Sequence, residues 1–304
     1  MSRAAWGPLN VRCEMTETCA SQPRSVSSME RVEAEGRWVE YEERGSGEPV
    51  LLIHGTLIGD ALAPLLDESS LSGNYRVIRY RRRGFCGNVV PKGAGWLAIS
   101  EHASDAAMLL KHLNVQPVHV VGHDLGGMIA LQLALQEPRL VHTLSLIEPI
   151  LMGVPSWDTT LTEVGPAIDL FLAGDHRGAV EHFLSISSGP EVAEVLERRM
   201  PGALAQATLD SPAFFEGEVF AISEWHLPDD IGFDISQPVL SVLGEHPIGF
   251  FAEGRTFLSD HLPQTEVLDV FNSTHLLPIE NPEMLASGLA WFLGRHPIQR
   301  SAGR

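Results

Sequence analysis

Gly122-His123-Asp124-Leu125-Gly126-Gly127 is the stretch that decides the fold. It lies between an apolar run of strand type, Val118-His119-Val120-Val121, and a segment of helical period from Leu125 to Glu137. A sharp turn between a strand and a helix can lift one side chain above a sheet, and small residues flank such a turn because it leaves little room for Cβ atoms. The sequence therefore predicts that the carboxylate of Asp124 is presented at the top of a sheet.

Segments of strand type and helix type alternate on both sides of this turn. The strand-type runs are Arg37–Tyr41, Val50–Ile53, Tyr75–Arg79, Val118–Val121, Thr143–Ile147, Val239–Leu243 and Glu266–Val270. The segments of helical period are Ile99–Leu113, Leu125–Glu137, Phe250–His261 and Pro282–Leu293. This alternation favours a mostly parallel central sheet with helices on both faces, and the alternating polarity of the first run predicts an edge strand.

The pattern changes between Pro149 and Gln237, where prolines interrupt helical stretches and no strong strand signal occurs. This change predicts a helical insertion between two parts of the sheet. The chain therefore divides into three predicted parts. These are a flexible N-terminal extension of residues 1–30, an α/β core of residues 31–148 and 238–296, and a helical cap of residues 149–237.

The charge balance excludes several kinds of partner. The 304 residues include 21 basic and 39 acidic side chains, a net charge of −18, so nucleic acid and anionic membranes would be repelled. No run of about eighteen apolar residues occurs, and residues 1–30 lack the apolar core of a signal peptide. Three cysteines without a framework spacing suit a reducing compartment, so we expect a cytoplasmic protein without disulfides.

The turn at Gly122–Gly127, with its strand and helix, resembles the nucleophile elbow of the α/β-hydrolase superfamily, and the resemblance covers the chain after residue 31. Esterases and lipases carry serine at the position of Asp124, so this chain is similar to the epoxide hydrolase and haloalkane dehalogenase branches. The resemblance implies that Asp124 is the nucleophile and that His275, after the last strand, is the general base. It also implies that the backbone amides of Thr56 and Leu125 form the oxyanion hole.

The acid that orients His275 has two candidates. Many relatives place it three residues after the glycine that ends the strand following the cap, but Pro247 stands there, in Leu243-Gly244-Glu245-His246-Pro247. Some haloalkane dehalogenases are similar in taking their acid from the end of the strand after the nucleophile, which here is Glu148. We therefore expect Glu148 to complete the catalytic triad, with Glu245 as the second candidate.

A carboxylate nucleophile narrows the reaction. It attacks saturated carbon that carries a halide or a strained ring oxygen, whereas its attack on an ester would give an anhydride and expel an alkoxide. The sequence favours hydrolysis of a small apolar epoxide through an alkyl ester of Asp124, with haloalkane hydrolysis as the alternative. Ester or lactone hydrolysis, cofactor-free proton transfer and ligand binding without turnover stay open. We expect a small-molecule substrate, no cofactor and no metal, and a homodimer is left open.

The groups that receive the leaving atom are harder to assign. The tyrosines all precede the cap, although epoxide hydrolases usually present two cap tyrosines to the ring oxygen. Leu125 and Thr56 stand where dehalogenases usually carry a tryptophan and an asparagine that bind halide. The remaining candidates are cap side chains that can donate a hydrogen bond, namely Trp157, His182, Trp225 and His226.

One charged run stands apart from these motifs. Arg81-Arg82-Arg83 precedes Gly84-Phe85, and relatives often carry an acid at the first of these positions. Clusters of like charge usually lie in solvent, so we interpret these arginines as charges of a solvated loop.

Overall fold

The computed structural model describes residues 29–34, 36–87, 96–228 and 231–299. These residues build an eight-stranded sheet in the order β1-β2-β4-β3-β5-β6-β7-β8. The strands are β1 (Glu30–Ala34), β2 (Arg37–Arg44), β3 (Glu48–Ile53), β4 (Tyr75–Arg81), β5 (Val118–His123), β6 (Val141–Ile147), β7 (Val239–Gly244) and β8 (Thr265–Val270). The neighbours from β4 to β8 in this order pair in parallel, and β2 pairs antiparallel with both β1 and β4.

The central strands are apolar because both faces of the sheet are covered. In β3, Leu51 and Ile53 join one hydrophobic core, while Val50 and Leu52 join a second core. Successive side chains of a strand point to opposite faces, so the two cores lie on the two sides of the sheet. The predicted class, a mostly parallel sheet with helices on both faces, is confirmed.

The predicted edge position of the first run, Arg37–Tyr41, is wrong. This run lies in β2, and β1 pairs with it on the outer side, with Val32 opposite Val39. Both valines are buried, with exposed fractions of 1% and 0%. Burial of this apolar pair therefore accounts for the additional strand, β1. The segment is too short for its sequence pattern alone to predict a strand.

The described residues also form thirteen α-helices and one π-helical turn. They are α1 (Pro64–Asp67), α2 (Ser69–Ser72), α3 (Ile99–His112), α4 (Leu125–Gln136), α5 (Trp157–Leu172), α6 (His176–Ser188), α7 (Val192–Arg199), α8 (Ala203–Ala213), the π-helical turn Phe214–Glu218, α9 (Val219–Glu224), α10 (Ile231–Asp234), α11 (Gly249–His261), α12 (Leu277–Glu280) and α13 (Pro282–Arg295). The four helices predicted from periodicity correspond to α3, α4, α11 and α13.

Every regular element that the structure describes between β6 and β7 is helical, from α5 to α10. Aromatic side chains pack these helices together: the ring centroids of Phe171 and Phe215 are 4.8 Å apart, and those of Phe183 and Phe214 are 4.5 Å apart. We call this region the helical insertion, and its division from the core as a cap domain of residues 149–237 stays a prediction.

The predicted N-terminal extension falls almost wholly outside the described residues, which begin at residue 29. Cys13 and Cys19 lie there too, while Cys86 is a free thiol whose pKa burial raises to about 12. That thiol is therefore protonated and poorly nucleophilic near neutral pH. Among the described helices, none is both long and apolar enough to cross a bilayer.

The turn between β5 and α4 admits no side chain at Gly126. A Cβ atom there would lie 2.1 Å from the carbonyl oxygen of Ile53, which belongs to the neighbouring strand backbone. We expect Gly126→Ala to destabilise the protein by about 1–3 kcal/mol or more, since backbone must move to admit the methyl group. Gly249→Ala at the start of α11 is the matched control, because its Cβ would meet no atom within 4 Å.

Thermal and denaturant unfolding of the two alanine variants measure this difference. The control should be as stable as the parent protein or more so, because alanine favours a helix over glycine by about 0.5–1 kcal/mol. Equal stability of the two variants would contradict the close packing of strand and elbow.

Candidate active site

Asp124 occupies a strained turn between β5 and α4. Its φ of 55° and ψ of −120° lie in a region that side chains with a Cβ rarely adopt. Such strain persists only where the surroundings fix it, and it often marks a functional residue. The loop after β3 comes so close that a Cβ on Gly55 would lie 2.7 Å from the Cβ of Asp124. Asp124 therefore lies in a sharp turn at the end of a strand, as the sequence predicts.

The two oxygens of the Asp124 carboxylate have different surroundings. Oδ2 accepts hydrogen bonds from the backbone N–H of Thr56 at 2.7 Å and from the Thr56 hydroxyl at 2.6 Å. Oδ1 instead lies 3.9 Å from Nε2 of His275. One oxygen is thus held by two donors, whereas the other faces the imidazole. The side chain is almost completely buried, with 4% of the residue exposed.

Leu125, the second residue predicted for the oxyanion hole, is the first residue of α4. The first N–H groups of an α-helix have no partner within the helix, so the Leu125 amide stands at a terminus that favours negative charge. Its side chain is fully buried. The structure therefore brings Thr56 to the Asp124 carboxylate by direct hydrogen bonds, and places Leu125 next to it along the chain.

His275 is oriented by Glu148. The imidazole Nδ1 lies 2.6 Å from Oε2 of Glu148, and the backbone N–H of Gly244 donates to the other carboxylate oxygen at 2.8 Å. Glu148 is fully buried after β6 and takes a φ of 42°, a left-handed conformation at the end of the strand. The ring of Phe251 stacks on His275 with centroids 4.4 Å apart. Glu148 is thus placed to accept a hydrogen bond from Nδ1–H while Nε2 points to Asp124.

The pKa of His275 is raised by this arrangement. Burial alone would lower it, but the hydrogen bond and charge of Glu148 outweigh burial, with further support from Asp124 and Glu280. A raised pKa indicates that the imidazolium is stabilised, which helps a base that holds a proton during turnover.

Glu245, the second candidate for the acid, has a different partner. Its carboxylate accepts a hydrogen bond from the backbone N–H of Asn272 at 2.6 Å and is exposed at the surface. It therefore supports the loop that carries His275, and the structure shows it bonded to that loop's backbone.

His123, which precedes the elbow aspartate, supports the same histidine. Its Nε2 donates to the backbone carbonyl of His275 at 3.0 Å. Burial, followed by the charge of His275, lowers the pKa of His123 to about 4, so it is neutral near pH 7. The sequence did not single out this role, because the bond joins residues far apart in the chain.

A small cavity lies over the Asp124 carboxylate. Its volume of about 20 Å³ gives room for about one water molecule. The helical insertion contributes Phe183, Leu184 and Ser187 to the lining, all from one helix, α6. Their spacing places them on one face of that helix. The sequence therefore shows that they share a face, but not that this face lies against the site. A substrate larger than a water molecule therefore needs more room than this cavity provides.

Among the described residues, the four cap side chains expected to receive the leaving group do not line the cavity over Asp124, and their role stays a prediction. The Trp225 indole N–H donates to Gln132 at 2.7 Å, and Trp225 and His226 line a separate cavity of about 340 Å³. Trp157 packs on Phe250, with ring centroids 5.8 Å apart. His182 lies on α6, but the cavity lining includes its neighbour Phe183 in its place. Packing of the helices decides these positions, and chain position alone did not predict them.

The interpretation of the arginine run as solvated is wrong for Arg82. Its side chain has no exposed surface, and one terminal nitrogen pairs with the Glu218 carboxylate of the helical insertion. The other terminal nitrogen donates to the carbonyl oxygen of Gly55 at 2.7 Å. Arg83, its neighbour, pairs with the buried Asp105 at 2.6 Å. The carboxylates that neutralise these buried charges are distant in sequence. The residues of the run alone therefore did not indicate that it is buried.

The described residues contain no group of three or more His, Cys, Asp or Glu side chains arranged to hold a metal ion.

Comparison with known proteins places this arrangement in a family. Residues 48–282 match the model of the alpha/beta hydrolase fold family. Among curated relatives, a pimeloyl-(acyl-carrier protein) methyl ester esterase of Aeromonas salmonicida is 26% identical over 259 residues, which are 84% of this chain and 99% of the relative. The match thus spans nearly the whole relative.

Solved structures share the fold. The enol-lactonase of Burkholderia xenovorans LB400 superposes with a TM-score of 0.72 at 17% identity, covering 87% of this chain and 100% of its own. A thermophilic esterase of Thermogutta terrifontis superposes with a TM-score of 0.69 at 20% identity, covering 88% and 100% respectively. At these identities the superpositions establish the architecture.

The His275–Glu148 contact predicts a shift in pH dependence. A step that needs neutral His275 should slow as pH falls through a pKa above the ordinary 6.5. Glu148→Gln removes the charge that raises this pKa, so the acid limb of the pH–rate profile should move to lower pH. The plateau rate should also fall, by about 10²- to 10⁴-fold, because the imidazolium loses its partner.

Glu245→Gln is the matched control, since it removes an exposed carboxylate from the same histidine loop. A pH–rate profile and an NMR titration of the His275 ring measure both effects, the second without any substrate. Identical His275 titration curves in the parent protein and Glu148→Gln would contradict the assignment of Glu148.

Proposed function

The chain belongs to the α/β-hydrolase fold family, and from that premise we propose that it hydrolyses small uncharged epoxides through a covalent ester of Asp124. The unequal surroundings of the two carboxylate oxygens carry this proposal. Oδ2 receives two hydrogen bonds from Thr56, while Oδ1 accepts none from the described residues and lies 3.9 Å from Nε2 of His275. Oδ1 is then the attacking oxygen, and Oδ2 becomes the carbonyl oxygen of the ester.

In the first step, Oδ1 attacks a ring carbon of the epoxide and the carbon–oxygen bond of the ring breaks. The ring oxygen leaves with the electron pair and takes a proton from water. Ser187 lines the cavity from the helical insertion and supplies a hydroxyl that can hydrogen-bond to this oxygen. The product of the step is an alkyl ester of Asp124 that carries a free hydroxyl group.

In the second step, Nε2 of His275 takes a proton from water, and the hydroxide attacks the carbonyl carbon of the ester. Negative charge then develops on Oδ2, where the N–H and hydroxyl of Thr56 are already in place. Collapse of this intermediate expels the diol as an alkoxide, which takes the proton back from His275. The carboxylic acid of Asp124 finally releases its proton to solvent, which balances the proton used in the first step.

The cavity lining favours an oxygen leaving group over a halide. A halide needs several N–H donors aimed at one point, and the indole N–H of Trp225 is bonded to Gln132 instead. A ring oxygen needs only one proton, which water provides while the Ser187 hydroxyl donates a hydrogen bond. The apolar side chains of Ile58, Phe183 and Leu184 suit a small substrate without charge.

Ester or lactone hydrolysis is the second candidate. It draws support from the relatives, which include proteins named as a methyl ester esterase and an enol-lactonase. We rank it lower because the Thr56 donors that would bind a substrate carbonyl oxygen already bind Oδ2 of Asp124. A substrate ester would have to displace the carboxylate from these donors.

The covalent step predicts that an intermediate can be trapped. His275→Ala should form the ester with 1,2-epoxybutane but release it slowly, because no base activates water. Intact-protein mass should then rise by the mass of the epoxide. Asp124→Ala should give no adduct, and the exposed His226→Ala is a control histidine variant that should turn over normally without accumulating ester.

The same mass measurement separates the alternatives. An adduct with 1-bromobutane and none with the epoxide would indicate dehalogenation. Hydrolysis of p-nitrophenyl acetate by the parent protein, with no adduct from either alkylating substrate in His275→Ala, would contradict the epoxide proposal and favour the second candidate.

A further inference from the structure

Gly55 has to satisfy two conflicting requirements, a close approach to Asp124 and a fixed orientation of the peptide group that follows it. A Cβ on this residue would lie 2.7 Å from both Cβ and Oδ2 of Asp124, so the close approach demands glycine. Glycine leaves the backbone conformationally free, however, and the next peptide group must point its Thr56 N–H at Oδ2. The orientation of the Gly55–Thr56 peptide therefore has to be fixed by groups outside this segment.

Two donors meet the carbonyl oxygen of that same peptide. The backbone N–H of Arg82 donates to Nε2 of His54 at 3.1 Å, so the neutral His54 ring carries its proton on Nδ1. Nδ1 in turn donates to the Gly55 carbonyl at 2.9 Å, and the Arg82 guanidinium donates to it at 2.7 Å. Burial, helped by the charge of Arg82, lowers the pKa of His54 well below its ordinary value, which keeps the ring neutral.

The planar peptide unit links these bonds to the nucleophile. In a trans peptide the C=O and N–H point in opposite directions, so donors that hold the Gly55 carbonyl also aim the Thr56 N–H. Hydrogen bonds along such a chain polarise one another, and a charged donor does so more strongly than a neutral one. Arg82 is therefore connected to Oδ2 of Asp124 through a single peptide group.

We propose that Arg82 is a positioning residue that holds and polarises the Gly55–Thr56 peptide, with Glu218 of the helical insertion as its neutralising partner. The pair is nearly free of solvent, with exposed side-chain fractions of 0% for Arg82 and 5% for Glu218. Burying two charges has a large desolvation cost, so a simple link between insertion and core does not account for it well. The π-helical turn that presents Glu218 is a rare element that often occurs at functional sites.

The kinetic consequence rests on the proposed function and concerns its second step. Oδ2 shares the charge of the resting carboxylate, loses it when the ester forms and regains it when the ester is hydrolysed, so loss of Arg82 should slow the release of the ester and not its formation. We expect Arg82→Met combined with Glu218→Gln, which leaves no unpaired carboxylate, to slow ester release by about 10- to 100-fold. That is less than the ~10²–10³-fold loss expected when an oxyanion donor itself is removed. Ester formation should change by less than about threefold, so the adduct accumulates.

Arg83→Met combined with Asp105→Asn is the matched control. It removes a neighbouring ion pair of 2.6 Å whose side chains are 10% and 2% exposed, and among the described residues Arg83 makes no hydrogen bond to Gly55. Asp105 also pairs with Arg37 at 3.2 Å, and the Arg37 side chain, which is 25% exposed, keeps contact with solvent in this variant. Both double variants and the parent protein are compared in single-turnover reactions with 1,2-epoxybutane, followed by intact-protein mass. Arg82→Lys is a milder second variant, since it keeps the charge but offers a single terminal nitrogen for two acceptors, and it should shift ester release in the same direction.

A second readout does not depend on turnover. The amide proton of Thr56 should move upfield in the NMR spectrum of the Arg82 double variant, because its hydrogen bond to Asp124 weakens, and should stay unchanged in the Arg83 control. An unchanged Thr56 resonance, or equal shifts in both double variants, would overturn the role of Arg82. If the Thr56 resonance shifts as expected but no ester forms in any variant, the positioning role holds and the proposed function fails.

Discussion

The positive-φ turn at Asp124 is the constraint on which the rest of the site depends. A residue with a Cβ adopts a φ of 55° only where its surroundings hold it there. Here the carbonyl oxygen of Ile53 would lie 2.1 Å from a Cβ at Gly126, so α4 can start this close to β3 only through glycine. The strand order, which places β5 between β3 and β6, then brings the loops of Thr56 and Glu148 to either side of the turn. The sheet thus determines which side chains Asp124 meets.

Because of this geometry, the two carboxylate oxygens of Asp124 have different hydrogen-bond surroundings. In a serine hydrolase the oxyanion donors are free to receive a substrate carbonyl, whereas here the Thr56 donors hold Oδ2 of the elbow carboxylate itself. In the proposed mechanism the same two hydrogen bonds stabilise a carboxylate in the resting protein and an oxyanion during hydrolysis of its ester. The solved structures named as an esterase and a lactonase share the architecture, so the proposed difference in chemistry lies in the residue at the elbow.

Sequence patterns predicted those features that short segments encode. The run from Val118 to Gly127 contains the strand, the small residues and the start of the helix, so the position of Asp124 followed from local letters. Glu148 could be proposed because it ends a recognisable strand. The burial of Arg82 could not be predicted, because its partner Glu218 lies 136 residues away in the helical insertion. Hydrophobic periodicity does not show how the helices of that insertion pack on the core. For the same reason, the sequence did not predict that Phe183 and Ser187 line the cavity. Helix packing determines which face of α6 lies against the site.

The central claim is that the oxygen delivered to the substrate comes from Asp124. A single turnover of 1,2-epoxybutane in oxygen-18 water tests it most directly, with enzyme in excess, followed by mass analysis of the diol and of the peptide that contains Asp124. The account predicts that the first diol carries no heavy oxygen and that one heavy atom enters the Asp124 carboxylate, because water attacks the ester carbonyl carbon. Heavy oxygen in the first diol, with an unlabelled Asp124 peptide, would contradict the account and show that water attacks the substrate directly.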